Sequence, residues 1–236
     1  MAELILENVT YRYPGTKQDV LKGVDAVFPA GTVTAVMGRS GAGKSTMLYL
    51  LSGLDVPTTG RILYNGQVLK KSMLDAYRRK ETATIAQNYL LFPTRTVLEN
   101  VLYPMQLAKL PPEEAIPEAK KHLASVGIPE ELHNRLPSRL SGGEQQRVAN
   151  ARALASHCNV IAADEPTGNL DEENADAVMA LLKQLAHEQG KTVIVVTHDR
   201  FLAEDTDRFY RLQRGLIVEA RINTGTQGSG SAGKNT

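Results

Sequence analysis

Three short runs of the chain are apolar at nearly every position rather than at alternate ones: residues 32–37, 160–163 and 192–196. A strand with one wet face alternates. A continuous run of this length predicts a strand buried on both faces of a parallel sheet. The first run leads into a glycine-rich loop and a helical stretch at 44–51. The third follows a helix-like segment at 175–188 closed by Gly190, a residue suited to a helix C-terminus. Strands alternating with helices predict an α/β layered fold built on a parallel sheet.

The flanks are patterned differently. Leu4, Ile5, Leu6 and Val9 lie near Tyr11, Tyr13, Val24, Val27 and Phe28, with turn residues Pro14, Gly15 and Gly23 between them. This predicts an N-terminal antiparallel β subdomain. Residues 61–69, centred on Asn65-Gly66, read as another hairpin, because that dipeptide favours the left-handed turn such hairpins need. Residues 88–139 are rich in helix formers but interrupted by Pro93, Pro104, Pro111, Pro112, Pro117, Pro129 and Pro137. They predict short helices broken at the prolines, forming an inserted α-helical subdomain at about 88–150. The Gly/Ser/Thr-rich stretch 223–236 is expected to be a disordered tail.

Composition narrows the function classes. The chain has 236 residues and a formal net charge of +1, so no nucleic-acid partner is expected. Its one cysteine, Cys158, sits beside an apolar run and reads as a packed thiol rather than a catalytic one; a reducing compartment fits. No run approaches the ~18 apolar residues of a spanning helix, and the N-terminus lacks the basic start and apolar core of a signal peptide. Membrane work, if there is any, would pass through a partner.

Gly38-Arg39-Ser40-Gly41-Ala42-Gly43-Lys44-Ser45 fills every position of the GxxxxGK[ST] phosphate loop. It follows a buried strand and opens a helix, the context that motif requires. The glycines let backbone N–H groups turn inward around phosphate oxygens, and the helix start adds partial positive charge. Lys44 can reach the β- and γ-phosphates, and the Ser45 hydroxyl suits Mg²⁺.

The run 160–163 ends in Asp164-Glu165. Two adjacent carboxylates at a buried strand end repel each other, and a metal with a water relieves that repulsion. Asp164 is assigned to the Mg²⁺ shell, and Glu165 to polarising the attacking water.

Leu140-Ser141-Gly142-Gly143-Glu144 precedes a helix-like stretch at 145–155, and Ser141 with Glu144 fits a capping box. Glycines beside a serine at a helix start make a second phosphate-accepting terminus. With only one complete phosphate loop per chain, the economical reading is a composite site in which two chains pair head to tail.

GRSGAGKST, Gln87, LSGGEQQR, ADEPTGNLD and VTHD, in that order, resemble the ATPase subunits of ABC transporters over residues 4–219. The resemblance implies a P-loop NTPase core and one ABC ATPase domain over 1–222. It implies ATP contacts from Gly38, Arg39, Ser40, Gly41, Ala42, Gly43, Lys44, Ser45 and Thr46, with Tyr13, favoured over Tyr11, stacking on adenine. Gln87 matches the glutamine that touches Mg²⁺ and senses the transporter. Ser141, Gly142 and Gly143 match the loop that contacts the opposite chain's γ-phosphate, and Asp171 matches the interface-crossing loop. His198 matches the histidine that holds the γ-phosphate and the water, a catalytic set with Lys44, Gln87 and Glu165. Glu144, Asn150 and Ala86 depart from commoner residues without removing a catalytic group.

The phrases GLDVPTTG and DEPTGNLD resemble the branch serving lipoprotein release, macrolide export, antimicrobial-peptide resistance and cell division. The implied partners are an integral membrane permease and a second ATPase subunit, at the cytoplasmic face of the membrane. The apolar cluster 89–92 is expected to be partly core and partly docking surface. A soluble ABC ATPase acting on DNA or ribosomes is the alternative. Against it, the chain has one ATPase domain and no coiled-coil or zinc insertion.

Overall fold

A computed structural model describes residues 3–222 except Gln87 and Asn169. In chain order its strands and α-helices are β1 (Leu4–Tyr11), β2 (Leu21–Phe28), β3 (Thr32–Met37), α1 (Lys44–Leu51), β4 (Thr59–Tyr64), β5 (Gln67–Val68), α2 (Leu74–Lys80), β6 (Thr82–Ile85), α3 (Val97–Leu107), α4 (Pro112–Ser125), α5 (Gly142–Leu154), β7 (Val160–Asp164), α6 (Glu172–His187), β8 (Thr192–Thr197), α7 (Arg200–Glu204), β9 (Arg208–Gln213) and β10 (Leu216–Ile222). The expected tail at 223–236 lies outside the described residues, as do Gln87 and Asn169. Among the described residues no helix is long and apolar enough to cross a membrane.

The three continuous apolar runs are neighbours at the centre of a six-stranded sheet of order β10-β9-β3-β8-β7-β6. β9, β3, β8, β7 and β6 run parallel, and β10 returns antiparallel beside β9. Their continuity has a physical cause in how the side chains sort. Ile161, Ala163, Val193 and Val195 join a core shared with α3 to α6. Val160, Ala162, Ile194 and Val196 point into a second core with α1, α2 and the N-terminal sheet. With a period of two and apolar material on both sides, the only polar groups that enter these strands at buried positions are small hydroxyls such as those of Thr34 and Thr192.

The N-terminal strands form a four-stranded antiparallel sheet, β2-β1-β4-β5, as the flanking pattern predicts. The turn at Asn65 (φ 51°) and Gly66 (φ 76°) is left-handed at both positions. α3, α4 and α5 pack on one another as the helical insertion.

Several details differ from expectation. The third run continues one residue, through Thr197, and β7 carries Asp164. α5 and α6 each begin three residues before their expected starts at 145 and 175, because the capping residues Ser141 and Asp171 lie just upstream. The sequence reading left α2, β6, α7, β9 and β10 unassigned. Pro104 and Pro117 do not break helices but lie inside α3 and α4. An interior proline costs roughly 3 kcal/mol. Val97, Val101 and Met105 on α3, and Ala119 and Leu123 on α4, are fully buried. Each large apolar side chain so buried contributes roughly 1.5–3 kcal/mol, so packing outweighs the lost hydrogen bond.

Asn100, fully buried on α3, organises the connection into this insertion. Its Oδ1 accepts from the Phe92 N–H at 2.8 Å, and its Nδ2 donates to the carbonyls of Phe92 (3.2 Å), Arg95 (3.1 Å) and Thr96 (2.9 Å). Asn100→Ala should destabilise the protein by on the order of 2–4 kcal/mol, because buried main-chain groups lose their partner. Urea unfolding of the two proteins measures this, and a loss below about 0.5 kcal/mol would contradict it.

Candidate nucleotide site

Parallel pairing in register brings three strand ends to one edge: Met37 of β3 lies beside Thr197 of β8, and Val196 beside Asp164 of β7. Ligand sites of open α/β sheets sit at such carboxyl ends. The loop 38–43 leaves β3 there and turns into α1. Gly43, at φ 105°, is the N-cap of α1 and supplies no side-chain cap, so the first amides of the helix are left for a ligand. Gly38 is required by space: a Cβ built on it would stand 2.4 Å from the Leu212 carbonyl oxygen of β9. The β9–β10 turn adds a brace, with Gly215 N–H donating to the Ala42 carbonyl at 3.0 Å. Lys44 Nζ donates to the carbonyls of Gly38 at 2.7 Å and Arg39 at 3.4 Å, which places the ammonium under the loop.

A pocket of about 370 Å³ opens over this loop, lined by Val20, Ser40, Gly41, Gly43, Lys44, Ser45, Thr46, Asp164, Glu165 and His198. Burial raises the Asp164 carboxyl above the usual carboxylate range, against the opposing hydrogen bond from Ser45; neighbouring Glu165 raises it further and Lys44 lowers it. Glu165 is left-handed, at φ 50°, and its N–H donates to the Val196 carbonyl at 2.9 Å. Its carboxylate is held at both oxygens: His198 Nδ1 lies 2.8 Å from Oε1, and Thr197 Oγ1 donates to Oε2 at 3.4 Å. The Glu165 side chain is 13% exposed and that of His198 is 75% exposed, so the imidazole can leave this contact without disturbing the core.

The two aromatic candidates separate clearly. Tyr11 is 2% exposed, and its hydroxyl donates to Asp55 at 2.9 Å; burial and Asp55 push its ionisation up. Tyr13 is 40% exposed, and its hydroxyl lies 3.0 Å from Thr46 Oγ1 at the start of α1. Its ring stands edge-on to Tyr11 with centroids 5.1 Å apart.

Ser141, Gly142, Gly143 and Asp171 do not line the pocket. Ser141 caps α5 in a complete capping box: its Oγ accepts from Glu144 N–H at 3.3 Å, and Glu144 Oε2 accepts from Ser141 N–H at 2.6 Å. Asp171 caps α6, accepting from Asn174 N–H at 2.9 Å. Gln87, assigned to Mg²⁺ and coupling, lies outside the described residues. The sequence reading assigned no role to Val20, to Thr197 or to the bracing Leu212 and Gly215. Thr197 stood in view within VTHD; the other three carry no local signal.

Hydrogen bonds from Ser141 hold the Glu144 carboxylate below its ordinary range. A carboxylate with a depressed folded pKa contributes stability above the unfolded value of about 4.3 and loses it as pH falls through the folded value. The gap in urea midpoint between the wild type and Glu144→Gln should therefore shrink between about pH 6 and about pH 3. A constant gap would mean that the charge contributes nothing.

Comparison with known proteins agrees with this geometry. The family model described as ABC transporter matches residues 21–168. The chain is 42% identical over 211 residues to the lipoprotein-releasing system ATP-binding protein LolD of Idiomarina loihiensis, covering 88% of this chain and 92% of that protein. A bacterial ABC transporter cassette solved as a dimer superposes with a TM-score of 0.88 at 37% identity, over 94% of this chain and 100% of that one. The same cassette in a post-hydrolysis state with ADP and Pi gives the same values. The chain belongs to the ABC transporter family as its ATP-binding, ATP-hydrolysing cassette.

Proposed function

We propose that this cassette is the motor subunit of an export- or extraction-type transporter, two copies closing around two ATP molecules to drive a membrane permease from the cytoplasmic face. The observation that carries the reading is the second glycine-started helix: Ser141, Gly142 and Gly143 open α5 yet do not line the phosphate pocket. A second copy, presenting that loop head to tail, would complete the site. The dimeric form of the related cassette supports this, as does the similarity to a lipoprotein-releasing system protein.

In this reading the loop 38–46 cradles the triphosphate, and Lys44 exchanges its own-loop carbonyls for β- and γ-phosphate oxygens. Tyr13 meets the adenine. Ser45 and Asp164 supply hard oxygen donors for Mg²⁺, with Gln87. Ser45 and the half-buried Asp164 both line the pocket over the phosphate loop, which supports the fit. Among the described residues no cluster of three His, Cys, Asp or Glu could hold a metal alone, so the ligand's phosphates would complete the shell. When bound, Mg²⁺ neutralises charge on the phosphates. Glu165 is the general base. His198 turns from Glu165 Oε1 toward the γ-phosphate, which frees that oxygen to polarise the attacking water, while Asp171 lies at the crossing between the copies.

The permease is assigned to a groove of about 660 Å³ lined by Leu90, Phe92, Tyr103, Leu107, Lys109 and Arg152, among others. Leu90 is 58% and Leu107 59% exposed. Leu91, partly buried, packs against the core beside the groove. An amphipathic helix fits such a groove.

Lys44→Ala should weaken ATP binding by roughly 10- to 100-fold, the loss of a charge-assisted contact; unchanged affinity in a nucleotide titration would remove Lys44 from the role. Glu165→Gln should keep ATP affinity, lose at least about a hundredfold in turnover and accumulate an ATP-dependent dimer in sedimentation. If that variant stays monomeric with ATP, the composite site is wrong. Leu107→Glu, with an unchanged thermal midpoint, should fail to pull down the permease encoded with it. Retention at the wild-type level would put the docking surface elsewhere.

A further inference from the structure

Arg152 lies near the C-terminal end of α5, and its guanidinium reaches off that helix. Nη1 donates to the Leu90 carbonyl at 2.7 Å and Nη2 to the Tyr89 carbonyl at 3.0 Å. Its central carbon stands 5.7 Å from the centroid of the Phe92 ring. Among the described residues no carboxylate pairs with it, and burial lowers its pKa. The half-buried charge is therefore compensated by two carbonyls and a ring face.

The backbone it holds is unusual. Tyr89 at φ 61° and Leu90 at φ 49° are consecutive left-handed residues, neither of them glycine. Leu90 N–H donates to the Asn88 carbonyl at 2.6 Å, closing a three-residue turn around Tyr89. Such backbone persists only where its surroundings over-determine it, and Arg152 supplies that hold. Tyr89 also reaches the opposite end of α5: a Cβ built on Gly142 would stand 3.2 Å from its hydroxyl oxygen. One short segment thus spans the helix from Arg152 to Gly142, while its Leu90 and Phe92 line the groove.

We propose that Arg152 is a positioning residue that locks segment 89–92 so that Tyr89 seats Gly142, making the groove and the Ser141–Gly143 loop one mechanical unit. A body seated in the groove acts on Leu90 and Phe92, and Arg152 with Tyr89 carries the displacement to the loop offered to the partner's nucleotide. The inference rests on the composite-site reading above and adds to it the residue that sets the loop.

The test uses the full chain in the Glu165→Gln background, with a fluorescent ATP analogue for binding, sedimentation for ATP-dependent association and thermal unfolding for integrity. Arg152→Lys keeps charge but not the two-pronged donor; Arg152→Gln removes the charge; Tyr89→Phe removes only the hydroxyl. Because the phosphate loop is untouched, analogue affinity should stay within about twofold while the dimer Kd rises about tenfold in both Arg152 variants, the scale of one charge-assisted contact. Tyr89→Phe should raise it several-fold. A merely structural role would lower the thermal midpoint and leave the dimer Kd of the folded protein unchanged. Folded Arg152→Lys and Tyr89→Phe proteins that associate like the parent overturn the proposal, and these two decide it if Arg152→Gln fails to fold. Ser141→Arg separates the two ideas. If it abolishes association while the Arg152 variants do not, only the positioning role falls. If it too associates normally, the composite site falls and takes this inference with it.

Discussion

The in-register parallel pairing of β3, β8 and β7 is the constraint on which the rest depends. Register in a sheet is all or nothing, since a one-residue slip moves every side chain to the other face. Here Val33 opposes Val193 and Val193 opposes Ile161, and β7 and β8 each feed alternate residues into two separate cores. A slip would exchange the contents of both cores at once. The same pairing fixes the level at which the strands end. The phosphate loop, Asp164-Glu165 and Thr197-His198 consequently meet over one pocket, although they lie far apart in the chain.

Strain is concentrated where the chain does something. Asn65 and Arg214 are left-handed in turns where a glycine follows. Glu165, Tyr89 and Leu90 are left-handed with no glycine beside them. Glu165 is pinned by the Val196 carbonyl and by His198 and Thr197; Tyr89 and Leu90 are pinned by Arg152. In each case a costly backbone is held by specific hydrogen bonds, which is how a fold keeps a reactive or movable group in a defined pose.

What was legible in the sequence follows from what the chemistry demands locally. Phosphate binding dictates residue types at fixed spacing, so 38–45 and the capping box at Ser141 and Glu144 could be read letter by letter. Burial on both faces dictates uninterrupted apolar runs, so the central strands could be read as well. α2 and β6 are too short to establish a period, and β9 and β10 were not read. The prolines at 104 and 117 were misread because a local rule yields to tertiary packing that no window of sequence contains. Arg152 carries no signal beyond its place in a helix, since its partners lie some sixty residues away in the chain. The resemblance already favoured Tyr13 over Tyr11, but that Asp55 occupies the Tyr11 hydroxyl was not legible in the sequence.

The brace behind the phosphate loop has a consequence for the order in which the protein is made. Residues 38–43 emerge well before β9 and β10, but their backbone is packed against Leu212 and bonded to Gly215. Until β9 and β10 are made, the loop lacks its back wall. Domains mature as units and expose unfinished surface until they close. For this cassette the loop that follows β3 is closed from behind by β9 and β10, with nearly all of the intervening fold made between them.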